Sequence, residues 1–481
     1  KIRSNTPLPD LRHFVTRDSA GFIVRGRNID IERYLTFYVH DKAPTHKEVD
    51  LVLNWSKLLA EHVNAWSRLW EEIGLEIEGP EEVAGAITFY TYHLLQLINE
   101  DSEELMIPAR GLHGVGYRGH VFWDTDLYLL PFLSFIYPKA MRKVLNFRCR
   151  TLDKALQYAL ETGHKGARYP WESVDQGFES TPRFYPTDLN KCECISILTG
   201  EQEIHVTGDI AFATAFYYRV TNDEDFLREC GLRILIETAR FWASRVEFDP
   251  AKEAYVIRGV IGPDEYYVGV DNNFYTNLIA KYNLEEASRI VSEALGTGKY
   301  GDLLQHLNVN QAEVEEWKKI AEHLFLSRVR DGVFEEFEGF FEKAHLSKQA
   351  DVILALLLKE IIEGVSPEIL EKNYRYYLER TTHESSLSLP IFATVALILG
   401  LNEGWDLFLK TLETDLRNTY RNTHEGFHVA TAGGLWYAIL FGMLGIRLRN
   451  KNLVYSPKKI SNFRLAVNIN HVGSKTRVTT P

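Results

Sequence analysis

From Gly79-Pro80 to about residue 449, apolar residues recur at spacings of three and four almost without a break, and this helical period limits the fold more than any other feature. Candidate helices fall near 81–99, 124–136, 138–162, 203–220, 223–246, 273–295, 311–323, 347–363, 367–380, 384–400, 404–420 and 429–447. Roughly twelve segments leave about 30 residues for each helix and its loop, a comfortable length for globular helices. No short repeat recurs, so a TPR- or HEAT-type solenoid is not indicated. Twelve similar antiparallel helices fit a closed double ring, six inner and six outer. An open bundle or irregular solenoid fits the count nearly as well.

The flanks differ from this body. Phe22-Ile23-Val24 and Tyr34–Val39 are β-branched and aromatic runs between turn residues, as in strands. Thr45-His-Lys-Glu48 has capping-box spacing and opens a predicted helix with Val49, Leu51, Val52, Trp55, Leu58, Leu59 and Val63 on one face. At the other end Phe463, Leu465, Val467 and Ile469 alternate with period two. Four regions are expected: 1–45, 46–78, 79–449 and 450–481. The chain opens with Lys1 and has no signal segment, so further sequence is expected ahead of it.

Composition excludes some classes of partner. Lys plus Arg number 54 against 66 Asp plus Glu, a net charge of −12, which argues against nucleic acid or an anionic membrane surface. No apolar run reaches the length of a membrane span. Cys149, Cys192, Cys194 and Cys230 are too few for a disulfide scaffold in this length, and Cys192-Glu-Cys194 lacks zinc spacing. The cysteines are expected to be reduced and mostly buried, and no metal is expected.

Six loops concentrate polar and aromatic residues. Gly114-Val-Gly-Tyr-Arg-Gly119 resembles a dinucleotide loop only superficially, because no strand precedes it. Trp123-Asp124 sets a stacking face beside a carboxylate able to accept two sugar hydroxyls; the plain alternative is that Asp124 or Asp126 caps the next helix. Tyr169-Pro-Trp-Glu172 repeats the pairing, and its plain alternative is a helix start with Pro170 early in it. Gly262-Pro-Asp-Glu265 presents an acidic turn beside Tyr266 and Tyr267, an apolar setting of the kind that raises a carboxyl pKa for general acid work. Its plain alternative is an exposed acidic turn. Lys348-Gln349 supplies donors, or is merely a solvated first turn. Thr381–Ser388 with Ser385-Ser386 ahead of a helix is an anion cradle or plain capping. His428 near Gly433-Gly434 completes such a cradle or sits satisfied in a core.

Together the motifs Phe122-Trp-Asp-Thr-Asp126, Tyr169-Pro-Trp-Glu-Ser173, Gly262-Pro-Asp-Glu-Tyr266 with Val270-Asp-Asn-Asn273, and Lys348-Gln-Ala-Asp-Val352 resemble glycoside hydrolase family 65, in the family's order, over about Gly111–Gly434. The resemblance implies an (α/α)6 barrel preceded by a β-sandwich and linker helices and followed by a small β-sheet domain. Residues 1–45 are then the end of that sandwich, 46–78 the linker, 79–449 the barrel, and 450–481 the start of the C-terminal sheet. It also implies inverting phosphorolysis of an α-glucosidic disaccharide, with inorganic phosphate as co-substrate and no cofactor. By motif, Glu265 resembles the general acid. Trp123, Asp124, Trp171, Glu172, Lys348 and Gln349 resemble residues that hold the nonreducing glucose. Ser385, Ser386 and His428 resemble phosphate ligands, with His383 as a further candidate. Many family phosphorylases continue the acidic turn with His-Glu; this chain has Tyr267-Val268, on the leaving-group side. A cytoplasmic location is expected, and a homodimer is the candidate assembly. Two other activities fit the same residues: an inverting α-glucosidase with Glu384 as base, or a noncatalytic sugar-binding protein. Glu384 facing the pocket is the sign of hydrolysis, and Ser385 and Ser386 facing it the sign of phosphorolysis.

Overall fold

A computed structural model describes residues 2–3, 11–15, 20–24, 32–33, 55–99, 101–188, 193–449 and 452–481. The chain divides into two units, Lys1–Glu72 and Ile73–Pro481. In the first, Leu11–Val15 pairs antiparallel with Ala20–Val24, and Ile2–Arg3 with Glu32–Arg33. The strand expected around Phe22 is therefore present. The one expected at Tyr34–Val39, the Thr45 box and the first turns of the next helix lie outside the described residues. That helix is described from Trp55 to Ile73.

In the second unit the helices sort by burial. Six are covered on nearly every side: Asp124–Tyr128 continuing as Phe132–Ile136, His205–Thr221, Phe274–Thr297, Val352–Ile362, Ser388–Leu399, and Val429–Tyr437 continuing as Ala438–Met443. Ser388–Leu399 has no charged residue at all, the composition of a helix with no solvent face. The other six are amphipathic or lie at the rim: Glu81–Gln96, Pro138–Arg150 with Leu152–Glu161, Leu232–Arg245, Gln311–His323, Pro367–Leu378 and Glu403–Leu416.

The contacts close the inner set into a ring. Helix 124–136 packs on 205–221, which packs on 274–297, then 352–362, then 388–399, then 429–437, which returns to 124–128. Each outer helix packs on one or two of these; 403–416, for instance, lies on 388–399 and 429–437. Closure rules out the open bundle and the solenoid. The fold is mainly α, an (α/α)6 barrel.

Arg464–His471 pairs antiparallel with Ser474–Thr479 on one side and with Glu76–Glu78 on the other. Leu465, Val467 and Ile469 are fully buried, as their alternation predicts. Asn470 Nδ2 donates to the Phe135 carbonyl at 2.9 Å, tying this sheet to the ring.

Two expectations fail locally. The 124–136 segment is π-helical in two pieces rather than one α-helix, a distortion that often accompanies a functional site. The cysteines are not all reduced, nor mostly buried: Cys149 and Cys230 form a disulfide and are half-buried, and Cys194 is free and exposed. Cys192 lies outside the described residues. The pairing follows from packing, because helix 138–150 meets the 227–231 turn and sets the two Cα atoms 5.9 Å apart. Among the described residues no helix is long and apolar enough to cross a membrane.

Candidate active site

Loops entering the N-terminal ends of the inner helices converge on a cavity of about 280 Å³. All ten sequence-predicted residues line it: Trp123, Asp124, Trp171, Glu172, Glu265, Lys348, Gln349, Ser385, Ser386 and His428. Helix N-termini present unpaired backbone N–H groups and a partial positive charge, so the ring directs a field suited to an anion at this cavity.

The floor is aromatic. Trp123 and Trp171 are almost wholly buried, their ring centroids 6.3 Å apart. Both pack edge-on against His205, at 4.8 and 5.4 Å. His205 Nδ1 bonds Asp209 at 2.8 Å, and Asp209 accepts from Tyr275 Oη at 2.6 Å, so the floor rests on a buried polar chain. Burial raises the Asp124 carboxyl to about 7. Asp124 does not cap a helix with its side chain. Asp126 does not either; it forms a buried pair with Arg148 at 2.5 Å. Pro170 starts no helix, since residues 167–175 are loop. Glu172 accepts from His120 Nδ1 at 2.7 Å; burial raises its carboxyl against that bond.

On the acid side, the setting of Glu265 is not the apolar one expected. Its Oε2 lies 2.5 Å from Lys348 Nζ. Burial opposes the Lys348 charge, but Glu265 beside it holds the ammonium above the ordinary lysine value. The two loops are also joined through backbone. Asp264 Oδ1 accepts from Lys348 N–H at 3.0 Å and Tyr266 N–H at 3.1 Å, and Gln349 Nε2 donates to the Pro263 carbonyl. Gly262 has to be glycine, because a Cβ there would lie 2.3 Å from Asn273 Nδ2 and 2.5 Å from Asp351 Oδ2. Tyr267 donates to the Leu346 carbonyl at 2.9 Å and packs on Phe337.

The anion side is held from behind. Helix 388–399 starts just after Ser385-Ser386. Tyr420 Oη donates to the His383 and Ser385 carbonyls at 3.1 and 3.2 Å, and Thr431 Oγ1 to the Ser386 carbonyl at 3.0 Å. Ser385 Oγ accepts weakly from Leu387 N–H at 3.3 Å, so the capping reading holds in part. His428 Nδ1 meets Asp415 Oδ1 at 2.7 Å, which orients the ring and leaves its other nitrogen to the cavity. His383 is not among the lining residues. It bonds Ser388 Oγ, and burial lowers its imidazole to about 4, so it brings no charge to an anion. Glu384 lines the cavity beside the serines, so side-chain direction does not divide the two activities; its Oε2 accepts from Tyr266 Oη at 2.6 Å.

Three features escaped the sequence reading. Arg110 lines the cavity with its guanidinium buried between loops, donating to Glu425 at 3.0 Å; Gly114 and Gly426 have no room for a Cβ against its carbonyl. The glycine-rich loop thus serves close packing. Glu203 is buried with neither carboxyl oxygen partnered among the described residues, and burial, then Glu265, raises its carboxyl well above the usual range. Tyr420 and Asn422 also line the cavity. No motif marks any of these residues. The glycines around Arg110 were the available signal.

A family model described as "Glycosyl hydrolase family 65 central catalytic domain" matches residues 88–347 and 343–437. A kojibiose phosphorylase of Halothermothrix orenii is 37% identical over 447 residues, covering 87% of this chain and 56% of that protein. An alpha,alpha-trehalose phosphorylase of Thermoanaerobacter brockii is 31% identical over 495 residues, covering 94% of this chain and 62% of that protein. The chain therefore spans little more than half the length of these relatives. A solved structure titled "Putative kojibiose phosphorylase from human microbiome" superposes with a TM-score of 0.80 at 24% identity, over 90% of this chain and 59% of that one.

Proposed function

The chain belongs to glycosyl hydrolase family 65, and from that premise we propose that it cleaves an α-glucosidic disaccharide with inorganic phosphate, inverting the anomeric centre, to give β-glucose 1-phosphate and a free sugar. Residues 79–449 form the catalytic barrel, 1–45 the end of an N-terminal β-sandwich, 46–78 its linker, and 450–481 the start of a C-terminal sheet domain. The supporting observation is that Glu265 shares one cavity with Ser385, Ser386 and His428 at the start of helix 388–399.

The sugar enters over Trp123 and Trp171, donates hydroxyls to Asp124 and Glu172, and accepts from Lys348 and Gln349. Its hydroxyls draw the Lys348 ammonium off Glu265; the freed carboxylate takes up a proton from solvent and gives it to the glycosidic oxygen as that oxygen's bond to the anomeric carbon breaks. A phosphate oxygen, held by Ser385, Ser386 and His428, attacks that carbon from the opposite face. Phosphate is itself an anionic nucleophile, so no second carboxylate is required. Tyr267-Val268 borders the acceptor sugar. No cofactor is proposed. A homodimer is the proposed assembly, and the proposed cytoplasmic location must be set against the Cys149–Cys230 disulfide, since such bonds persist mainly in oxidising compartments.

A panel of α-linked glucose disaccharides, incubated with and without phosphate and followed by proton NMR, tests this reading. Phosphate-dependent cleavage with β-glucose 1-phosphate as first product is expected. An α-phosphate product would exclude single-displacement inversion. Full-rate glucose release without phosphate would favour the second reading, a hydrolase, for which the observation is that Glu384 lines the cavity.

A further inference from the structure

Behind the acid loop three carboxyl groups from three separate segments meet out of reach of solvent. Asp264 belongs to the acid loop, Glu336 to the turn that follows Val333–Phe334, and Asp351 directly precedes helix 352–362; their exposures are 3%, 1% and 2%. Each has one oxygen satisfied. Asp264 Oδ1 accepts the two backbone N–H groups described above, Glu336 Oε2 accepts from Ser347 Oγ at 2.6 Å, and Asp351 Oδ2 accepts from Asn273 Nδ2 at 2.9 Å. The other oxygens, Asp264 Oδ2, Glu336 Oε1 and Asp351 Oδ1, are buried with no hydrogen-bond partner among the described residues.

Three carboxylates in this arrangement would be three buried acceptors with no donor among them, and carboxylates that share a site repel one another. A proton removes both problems, because it cancels a charge and turns an acceptor into a donor. Asp264 and Glu336 lie within hydrogen-bonding range of each other. Asp264 already has two backbone donors, which favour its charged form, so Glu336 is the group to hold the proton. Burial supports this order: it raises Glu336 well above the usual carboxyl range, with Asp264 and Asp351 adding to the effect, and takes Asp351 to about 8. The other titratable groups facing the cluster are Lys348, Tyr267 and Tyr377. Glu335, next in sequence, is spent on Arg328. Among the described residues no group of His, Cys, Asp or Glu is arranged to hold a metal ion, so the cluster does not read as a cation site.

We propose that a proton held by Glu336 and shared with Asp264, next to the charge of Asp351, keeps the loop of Glu265 in register with the loop of Lys348, making Glu336 and Asp351 positioning residues of the active site. When the proton leaves, two like charges face each other, Asp264 is pushed off the Lys348 and Tyr266 N–H groups, and the general acid shifts relative to the sugar-holding lysine. The alkaline limb of the activity profile then reports this cluster. The inference rests on the phosphorylase reading for its kinetics, but not for its effect on stability. Because the folded-state carboxyls hold their protons more tightly than the unfolded chain does, the stability they contribute is complete at acid pH. It falls as pH rises from the usual carboxyl value through about 8.

The test compares wild type with Glu336→Gln, measuring the pH profile of kcat at saturating substrates and the melting temperature over the same pH range. Glutamine keeps an acceptor for Ser347 and offers Asp264 a donor that no base removes. The alkaline limb should move up by about one pH unit or more, and the melting temperature should fall less between acid and alkaline buffer. Asp351→Asn is the second variant, with the same expectation, should the first not fold. Glu336→Ala should lower kcat by about 10²-fold with a smaller change in KM, since a small displacement of a catalytic group suffices for that. Profiles and melting slopes of Glu336→Gln and Asp351→Asn that coincide with wild type overturn the proposal. If wild type shows no phosphorolysis, the functional reading fails, and the melting slopes still decide the role of the cluster.

Discussion

The two sides of the cavity are built differently. On the acid side the reactive side chains are engaged with each other: Glu265 pairs with Lys348, and Gln349 bonds the Pro263 carbonyl. On the anion side the fixed atoms are backbone carbonyls, gripped from behind by Tyr420 and Thr431, and the serine hydroxyls make at most a weak bond of their own. Under the proposed reaction the sugar therefore exchanges existing contacts, whereas phosphate meets a cradle already in shape. On that reading rearrangement accompanies the step where discrimination is needed, and preorganisation serves an ion that is always the same.

Substitutions can break this contrast. Glu265→Gln should cut turnover of unactivated disaccharides by about 10²–10⁴-fold, and the loss should shrink for substrates with acidic leaving groups. Wild-type turnover in this variant on natural disaccharides would remove Glu265 from its role. Replacing Ser385 and Ser386 together with Ala should raise the phosphate KM far more than the disaccharide KM. Two hydrogen bonds to a charged group, each worth about 1.5–3 kcal/mol, correspond to about 10²-fold or more. Equal increases in both constants would mean the serines do not distinguish the two sides. Tyr420→Phe should have the smallest effect. It removes one neutral donor shared between two carbonyls behind the anion loop, so the phosphate KM should rise several-fold while kcat on phosphate-saturated enzyme holds nearly steady. A fall in kcat with no change in phosphate KM would show that this loop is not set by its backbone grip.

The twelve helices were legible from their apolar period, but their count fitted a ring, an open bundle or a solenoid almost equally and only the resemblance pointed to the ring; the sorting that closes it, with Ser388–Leu399 free of charge and Pro367–Leu378 charged, emerges in the packing. Ten motif residues were also legible, because polar and aromatic side chains concentrate in short stretches of the loops that line the cavity. What stayed hidden depends on residues far apart in the chain. Glu336 meets Asp264 only after the barrel closes, and Cys149 meets Cys230 across 81 residues. The setting of Glu265 was misjudged for the same reason: Tyr266 and Tyr267 are its sequence neighbours, but Lys348, 83 residues away, is its partner in space. The ends of helices were predicted early at 347 and 384, where polar side chains are taken up by contacts between loops and the first turn forms only at Val352 and Ser388.

Since every inner helix begins at the cavity and runs away from it, loops and helices should differ in how they tolerate a change of length. A residue gained or lost within a loop alters one wall and leaves the ring's packing unchanged. The same event inside an inner helix turns everything before it by about 100° around the helix axis, carrying its loop off the cavity and its apolar face off its neighbours. Relatives of this chain should therefore vary in length at the rim and hardly at all within the six inner helices, and new acceptor preferences should be reached by exchanging whole loops.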